Sequence, residues 1–164
     1  MGIEAVTAYL GLGSNLGDRQ ANLDRALAFL GQRLRLDKVS SIYDSEPVGN
    51  IEQPRFLNLV CQATTNLLPT ALLALAKGIE AKMGRAGASG APRIIDIDIL
   101  FYGDQVIETP ELVIPHPRLT KRAFVLAPLV EIAPDLVHPV SGKKAKELLK
   151  AAKEVQGVFK WEGG

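Results

Sequence analysis

The stretch Arg93-Ile94-Ile95-Asp96-Ile97-Asp98-Ile99-Leu100-Phe101-Tyr102 limits the possible folds more than any other part of the chain. It is β-branched and apolar except for two carboxylates spaced two apart, and side chains alternate between the faces of a strand. Ile95, Ile97 and Ile99 therefore require a packed face, while Asp96 and Asp98 project together from the other. The fold has to bury one side of this strand and let the other hold two like charges roughly 6–7 Å apart. Such a pair repels, and partial burial penalises each member unless a cation or hydrogen-bond donors compensate. Magnesium answers that need. It prefers hard oxygen ligands and leaves positions for phosphate oxygens, and carboxylates can bridge paired metals about 3.5–4 Å apart. Arg85 and Arg93, close by in sequence, would clamp the negative charge of a phosphate chain. A solvated strand face beside an arginine is the plainer reading, and the Asp-x-Asp alone does not separate the two.

Upstream, Val6 to Leu10 reads as a first strand, broken by Gly11-Leu12-Gly13-Ser14-Asn15-Leu16-Gly17-Asp18-Arg19. A dinucleotide fingerprint would need its third glycine where Leu16 stands, and no Walker A sequence occurs. The stretch is read as a strand-to-helix turn, with Asn15 or Asp18 near the helix start. Leu23, Ala26, Leu27, Leu30 and Leu34 then recur at helical spacing. Lys38 to Tyr43 is the second predicted strand, Ser45 to Gly49 a loop, and Phe56 to Thr65 a longer third strand in which Asn58 is polar among apolar neighbours. Pro69-Thr70 opens a second helix, with Leu72, Leu75, Ala76, Ile79 and Met83 on one face and Gly84 as its stop. Glu80, near the end of that helix, reads on its own as a surface ion-pair partner. The small residues from Ala86 to Pro92 form either a mobile flap or a plain connector. Beyond the acidic strand, Gly103-Asp104 predicts a hairpin turn into Gln105 to Glu108. Pro115-His116-Pro117-Arg118 is a stiff loop that holds its histidine rigidly. Arg122 and Phe124 lie in a short apolar segment running to Val130, His138 reads as a turn residue, and Lys146 to Val155 as a last amphipathic helix.

Strand, helix, strand, strand, helix, strand predicts an α+β sandwich of the ferredoxin-like type: an antiparallel-rich sheet with helices packed on one face and C-terminal helices over an edge. Nothing marks an internal boundary, so residues 1–164 are expected to form a single domain. A net charge of +1 gives no bulk attraction to nucleic acid. No run approaches the roughly 18 apolar residues of a membrane helix. The single Cys61 can form no internal disulfide. The expectation is a soluble cytoplasmic protein with no membrane or nucleic-acid partner.

Four stretches occur in consistent order: Gly11 to Arg19, Phe56-Leu57-Asn58, Pro92-Arg93 with Asp96-Ile97-Asp98-Ile99-Leu100, and Pro115-His116-Pro117-Arg118. Together they resemble the 6-hydroxymethyl-7,8-dihydropterin pyrophosphokinases, folate-pathway enzymes that move a diphosphate from ATP to a pterin alcohol, and the likeness runs from about Tyr9 to Val140. It implies an ATP-dependent, Mg²⁺-requiring enzyme in which Asp96 and Asp98 hold two Mg²⁺ ions and Arg85 and Arg93 close on the polyphosphate. Glu80 would lie near the nucleotide sugar, Ile99 near adenine, and His116 and Arg122 near the phosphates. Phe56 and Phe124 would sandwich the pterin ring, with Asn58 and the Ser45 to Val48 loop reading its polar edge. The implied partners are ATP and the pterin, with no obligate protein partner. The flap departs from the family's usual pattern: Gly90-Ala91 stand where Trp-Gly is common, which predicts looser closure. A non-catalytic nucleotide- or pterin-binding module is the alternative. A metal-dependent nucleotidyl transferase or nuclease is disfavoured by the near-neutral charge and the aromatic pocket.

Overall fold

The computed structural model describes residues 4–45, 55–84, 94–152 and 158–161. In chain order these form β1 (Val6–Ser14), α1 (Arg19–Gly31), β2 (Arg35–Val39), β3 (Tyr43–Ser45), β4 (Phe56–Thr65), α2 (Pro69–Lys82), β5 (Asp96–Tyr102), β6 (Ile107–Glu108) and β7 (Val113–Ile114). A 3₁₀ turn (Leu119–Lys121), α3 (Ala123–Ile132), α4 (Ala145–Ala151) and β8 (Phe159–Lys160) follow.

One sheet runs β5-β1-β4-β3-β8, with β2 also pairing β4, and every pairing is antiparallel. Counting β2 and β3 as two lengths of one interrupted strand on the same partner, the order is that of the predicted α+β sandwich. Ser40 fills the gap between them: its N–H reaches the Val60 carbonyl at 2.9 Å, and its hydroxyl accepts from Val60 N at 3.0 Å. This splits the single strand expected over Lys38 to Tyr43.

The alternation of side chains assigns the two faces. Ala8, Leu10 and Leu12 of β1, Leu57, Leu59, Cys61 and Ala63 of β4, and Ile97 and Ile99 of β5 bury one face against Leu23, Ala26 and Leu30 of α1 and Leu72, Ala76 and Ile79 of α2. Asp18 caps α1 by accepting from Ala21 N at 3.1 Å, and Gly84, at φ 91°, stops the second helix as its position predicts. The opposite face carries Tyr9, Val60, Leu100 and Phe101, packed against Leu119, Leu126, Leu129, Ala145 and Leu148. The C-terminal helices therefore cover a second face rather than an edge. A register shift between Tyr9 and Leu10 opposite β5 leaves Leu100 as an extra residue, so Leu100 and Phe101 both reach this second layer.

Two further expectations give way. β1 does not end at Leu10 but continues through Gly11 and Gly13 to Ser14, because both glycines stay paired on each side. Gly103 does turn the chain, at φ 55°, yet β6 pairs with β7 and not back onto β5. The apolar segment after Arg122 is a helix. His138 is the buried turn residue expected, with Nδ1 accepting from Val140 N and Ser141 N, each at 3.2 Å.

Candidate active site

Residues opposite one another in an antiparallel pair share a face. Asp96 faces Gly13, which faces Asn58, which faces Tyr43; in the next row on the same side, Asp98 faces Gly11, which faces Val60. The acidic pair and Asn58 are thus two strand spacings apart, about 9–10 Å, across a floor that carries no side chain in the Asn58 row. The glycines clear this floor. A Cβ on Gly13 would stand 2.9 Å from Asn58 Oδ1 and 3.4 Å from Phe56 Cδ1. Reading them as turn residues missed this role. The signal was present in the unbroken alternation Ala8, Leu10, Leu12, which carries the strand through both glycines.

At the acidic end, burial and then the neighbouring Asp96 charge push the Asp98 carboxyl up to about 6, with Glu80 adding to the rise and Arg122 and Lys77 opposing it. The donor set fits Mg²⁺. It offers hard carboxylate oxygens on one face of a strand beside an open floor, a charge pair that a cation would relieve, and positions left over for phosphate oxygens. Among the described residues no group of three or more acidic, histidine or cysteine side chains is placed to hold a metal.

His116 lies above Asp98, with Nε2 4.0 Å from Asp98 Oδ2. Its loop is pinned to β5 by the bond from His116 N to Leu100 O at 3.0 Å, and Nδ1 accepts from Arg118 N at 3.2 Å. Burial, then Arg122 and Arg118, hold the imidazole down at about 4. It is therefore neutral at physiological pH, and its approach to Asp98 is no ion pair. With Nδ1 accepting, the proton sits on Nε2, aimed at the acidic pair. Arg122, half-buried at the start of α3, lies with its guanidinium 5.4 Å from the Phe124 ring centroid and within electrostatic reach of both aspartates.

At the other end, Asn58 Nδ2 donates to Ser45 Oγ at 2.6 Å. Ser45 is 1% exposed and Asn58 6%, so the serine steadies the amide from behind. Phe56 shares the Asn58 face at the start of β4, and Phe124 belongs to the helix laid over that face; both are half-buried. Arg55, just ahead of β4, forms an ion pair with Asp44 of β3, and Arg19 Nη1 donates to Arg55 O at 2.8 Å. Arg85, Arg93, Val48 and the expected flap lie outside the described residues.

Two expected nucleotide residues are not open side chains. Ile99 is 4% exposed and packs in the helical core, on the opposite face from the acidic pair. Glu80 is 3% exposed, which corrects its reading as a surface ion-pair partner: Oε2 accepts from Ile97 N at 2.8 Å, although Oε1 does lie 3.6 Å from Lys77 Nζ. Lys77, a turn before Glu80, is a cation near Asp98 that the sequence reading passed over; the i, i+3 spacing was its signal. A separate cleft of about 270 Å³ beside β6 and β7 shares only His116 with this arrangement and is smaller than the roughly 300 Å³ at which ligand pockets usually begin.

Residues 9–134 match the family described as 7,8-dihydro-6-hydroxymethylpterin-pyrophosphokinase. The chain belongs to that family. A 2-amino-4-hydroxy-6-hydroxymethyldihydropteridine pyrophosphokinase of Aquifex aeolicus is 46% identical over 142 residues, covering 86% of this chain and 89% of its own. That of Bacillus subtilis is 42% identical over 158 residues, covering 94% and 90%. A folic acid synthesis protein of Pneumocystis carinii is 43% identical over 142 residues, 85% of this chain but 19% of that longer protein. A crystal structure of Plasmodium falciparum HPPK-DHPS with pteroate superposes with a TM-score of 0.74 over 90% of this chain at 19% identity, and this pyrophosphokinase-family chain spans 42% of it. At that identity the likeness concerns the fold alone.

Proposed function

We propose that this chain transfers diphosphate from ATP to the hydroxymethyl group of 6-hydroxymethyl-7,8-dihydropterin, releasing AMP and the pterin diphosphate as a Mg²⁺-requiring step of folate synthesis. The observation that carries the reading is the row Asp96, Gly13, Asn58. A carboxylate pair and a carboxamide at opposite ends of one bare stretch of sheet support a charge-binding end and an amide-reading end. That length suits a flat ring at one end and a phosphate chain at the other.

Asp96 and Asp98 would hold two Mg²⁺ ions, which when bound neutralise the triphosphate and acidify the pterin hydroxyl. The chain's own residues supply position and further charge, most of what phosphoryl chemistry asks of a protein. Arg122 gives a fixed positive charge beside the transferred group, and neutral His116 offers Nε2–H as a hydrogen-bond donor to a phosphate oxygen. Arg85 and Arg93 would add positive charge for the polyphosphate. Phe56 from the sheet and Phe124 from the covering helix stack the ring, while Asn58 reads its edge with donor and acceptor together. Glu80 and Ile99 serve the nucleotide side through the main chain of β5. The reaction runs in the cytoplasm, where the lone thiol stays reduced.

Incubating the protein with Mg²⁺, ATP and the hydroxymethyl dihydropterin should produce AMP in step with pterin diphosphate. Steady ADP formation would overturn diphosphoryl transfer, and pterin binding with no nucleotide turnover would make the chain a binding module.

A further inference from the structure

Glu80 presents a physical problem. Its helix, α2, packs its apolar side into the core, and a leucine there would bury at little cost, yet the position holds a carboxylate that is 3% exposed. Taking such a group out of water costs several kcal/mol unless its partners compensate. The placement also adds a third negative charge near a pair that already repels. Lys77 Nζ, 3.6 Å from Oε1, offsets part of that cost, and the other carboxylate oxygen is given to a main-chain bond. Oε2 accepts from Ile97 N at 2.8 Å, and Ile97 joins the two aspartates.

β5 is the edge strand of the sheet, paired only with β1 among the described residues. Among the described residues no further strand pairs with its outer main-chain groups. Among the described residues, Glu80 holds the Ile97 N–H on this edge, and His116 N holds the Leu100 carbonyl at 3.0 Å. The stretch carrying Asp98 runs between these two pins. Asp96 adjoins the first.

We infer that Glu80 is a positioning residue: from α2 it fixes the Ile97 peptide at the sheet edge and thereby sets the direction and spacing of the Asp96 and Asp98 carboxylates on either side. It acts through the peptide rather than as a third metal ligand, since no described group of three such side chains is placed to hold an ion. The inference rests on the metal-holding reading of the acidic pair. Groups that orient metal ligands from behind typically change metal affinity by about 10–100-fold when removed.

The test uses Glu80→Gln and Glu80→Leu in the full chain. It reads Ile97 amide exchange without metal, and nucleotide-analogue binding by calorimetry with and without Mg²⁺. Glu80→Gln keeps an oxygen for the Ile97 N–H, so it should retain Ile97 protection and the Mg²⁺ dependence of the parent protein. Glu80→Leu should lose protection at Ile97 and weaken the Mg²⁺-dependent part of binding by about tenfold or more. If Glu80→Leu does not fold, Glu80→Gln decides alone. Protection and Mg²⁺ dependence both kept support the inference; Mg²⁺ dependence lost with Ile97 still protected shows that the charge acts directly and overturns it. Loss of Mg²⁺ dependence in Asp96→Asn but not in Glu80→Leu overturns this inference alone. Mg²⁺ dependence kept in Asp96→Asn overturns the metal reading and the inference with it.

Discussion

Replacing Gly13 with alanine puts one carbon where the floor of the site is barest. That carbon would stand 2.9 Å from Asn58 Oδ1 and 3.4 Å from Phe56 Cδ1, and the first contact is too short to persist. A free amide would turn aside. Asn58 cannot do so cheaply, because it is 6% exposed and its nitrogen is bonded to Ser45 Oγ at 2.6 Å. Either that bond breaks, at about 0.5–1.5 kcal/mol, or β3 and the Phe56 ring are pushed back, at the roughly 1–3 kcal/mol usual for overpacking. If Asn58 and Phe56 receive the pterin, the displacement appears as lost affinity, and about 1–3 kcal/mol corresponds to about 5–150-fold. Whatever strain remains in the free protein lowers Tm by about 2–4 °C per kcal/mol. Pterin titration followed by ring fluorescence, with a thermal melt of each protein, measures both parts. Gly11→Ala is the comparison, since its Cβ would meet Leu100 at an ordinary 3.5 Å. Pterin affinity and Tm both unchanged in Gly13→Ala would refute the reasoning.

Without metal, Asp98→Asn should stabilise the protein at pH 7. The carboxyl is pushed up to about 6 from its ordinary 3.8, so the folded state binds the proton more tightly than the unfolded chain and stability falls as pH rises between those values. Because the side chain is 46% exposed, solvent screening discounts the gain to about 1 kcal/mol, a rise of about 2–4 °C in a thermal melt; a lower Tm would count against the acidic-pair account. By the same linkage Mg²⁺ should bind less tightly as pH falls through about 6, where protons compete for Asp98, and calorimetry showing no change between pH 7 and pH 5 would contradict it. Cys61 is fully buried, and burial pushes its thiol up to about 12. A disulfide reagent should therefore label it at the rate of unfolding, and fast labelling of the native protein would show that the sheet opens at β4.

How much was legible in the chain depended on whether a signal was local. The alternation in β4 and β5 and the spacing in α2 name their own buried faces, so Phe56–Thr65 matches the predicted bounds, Pro69–Lys82 starts where expected and ends just before Met83, and Asp96 and Asp98 share the side expected. Glycine is ambiguous by nature: the same residue serves a turn and a cleared sheet face, and only pairing on both sides tells Gly11 and Gly13 from turn residues. Glu80 misled for a related reason. A glutamate at the end of a helix is usually solvated, and nothing nearby in sequence announces that the Ile97 N–H, seventeen residues on, will need an acceptor. The second helical layer was also hidden. Among the described strands that face carries Tyr9, Val60, Leu100 and Phe101, few compared with the opposite face, and the shift that turns Leu100 and Phe101 to the same side is a property of pairing.

The claim on which the rest depends is that Asp96 and Asp98 hold cations for a phosphate chain, and it is tested most directly by titrating a non-hydrolysable ATP analogue into the parent protein and into the Asp96→Asn, Asp98→Asn double variant, each with and without Mg²⁺. The account predicts that Mg²⁺ strongly tightens binding to the parent and has no such effect on the double variant. Equal tightening in both proteins would contradict it.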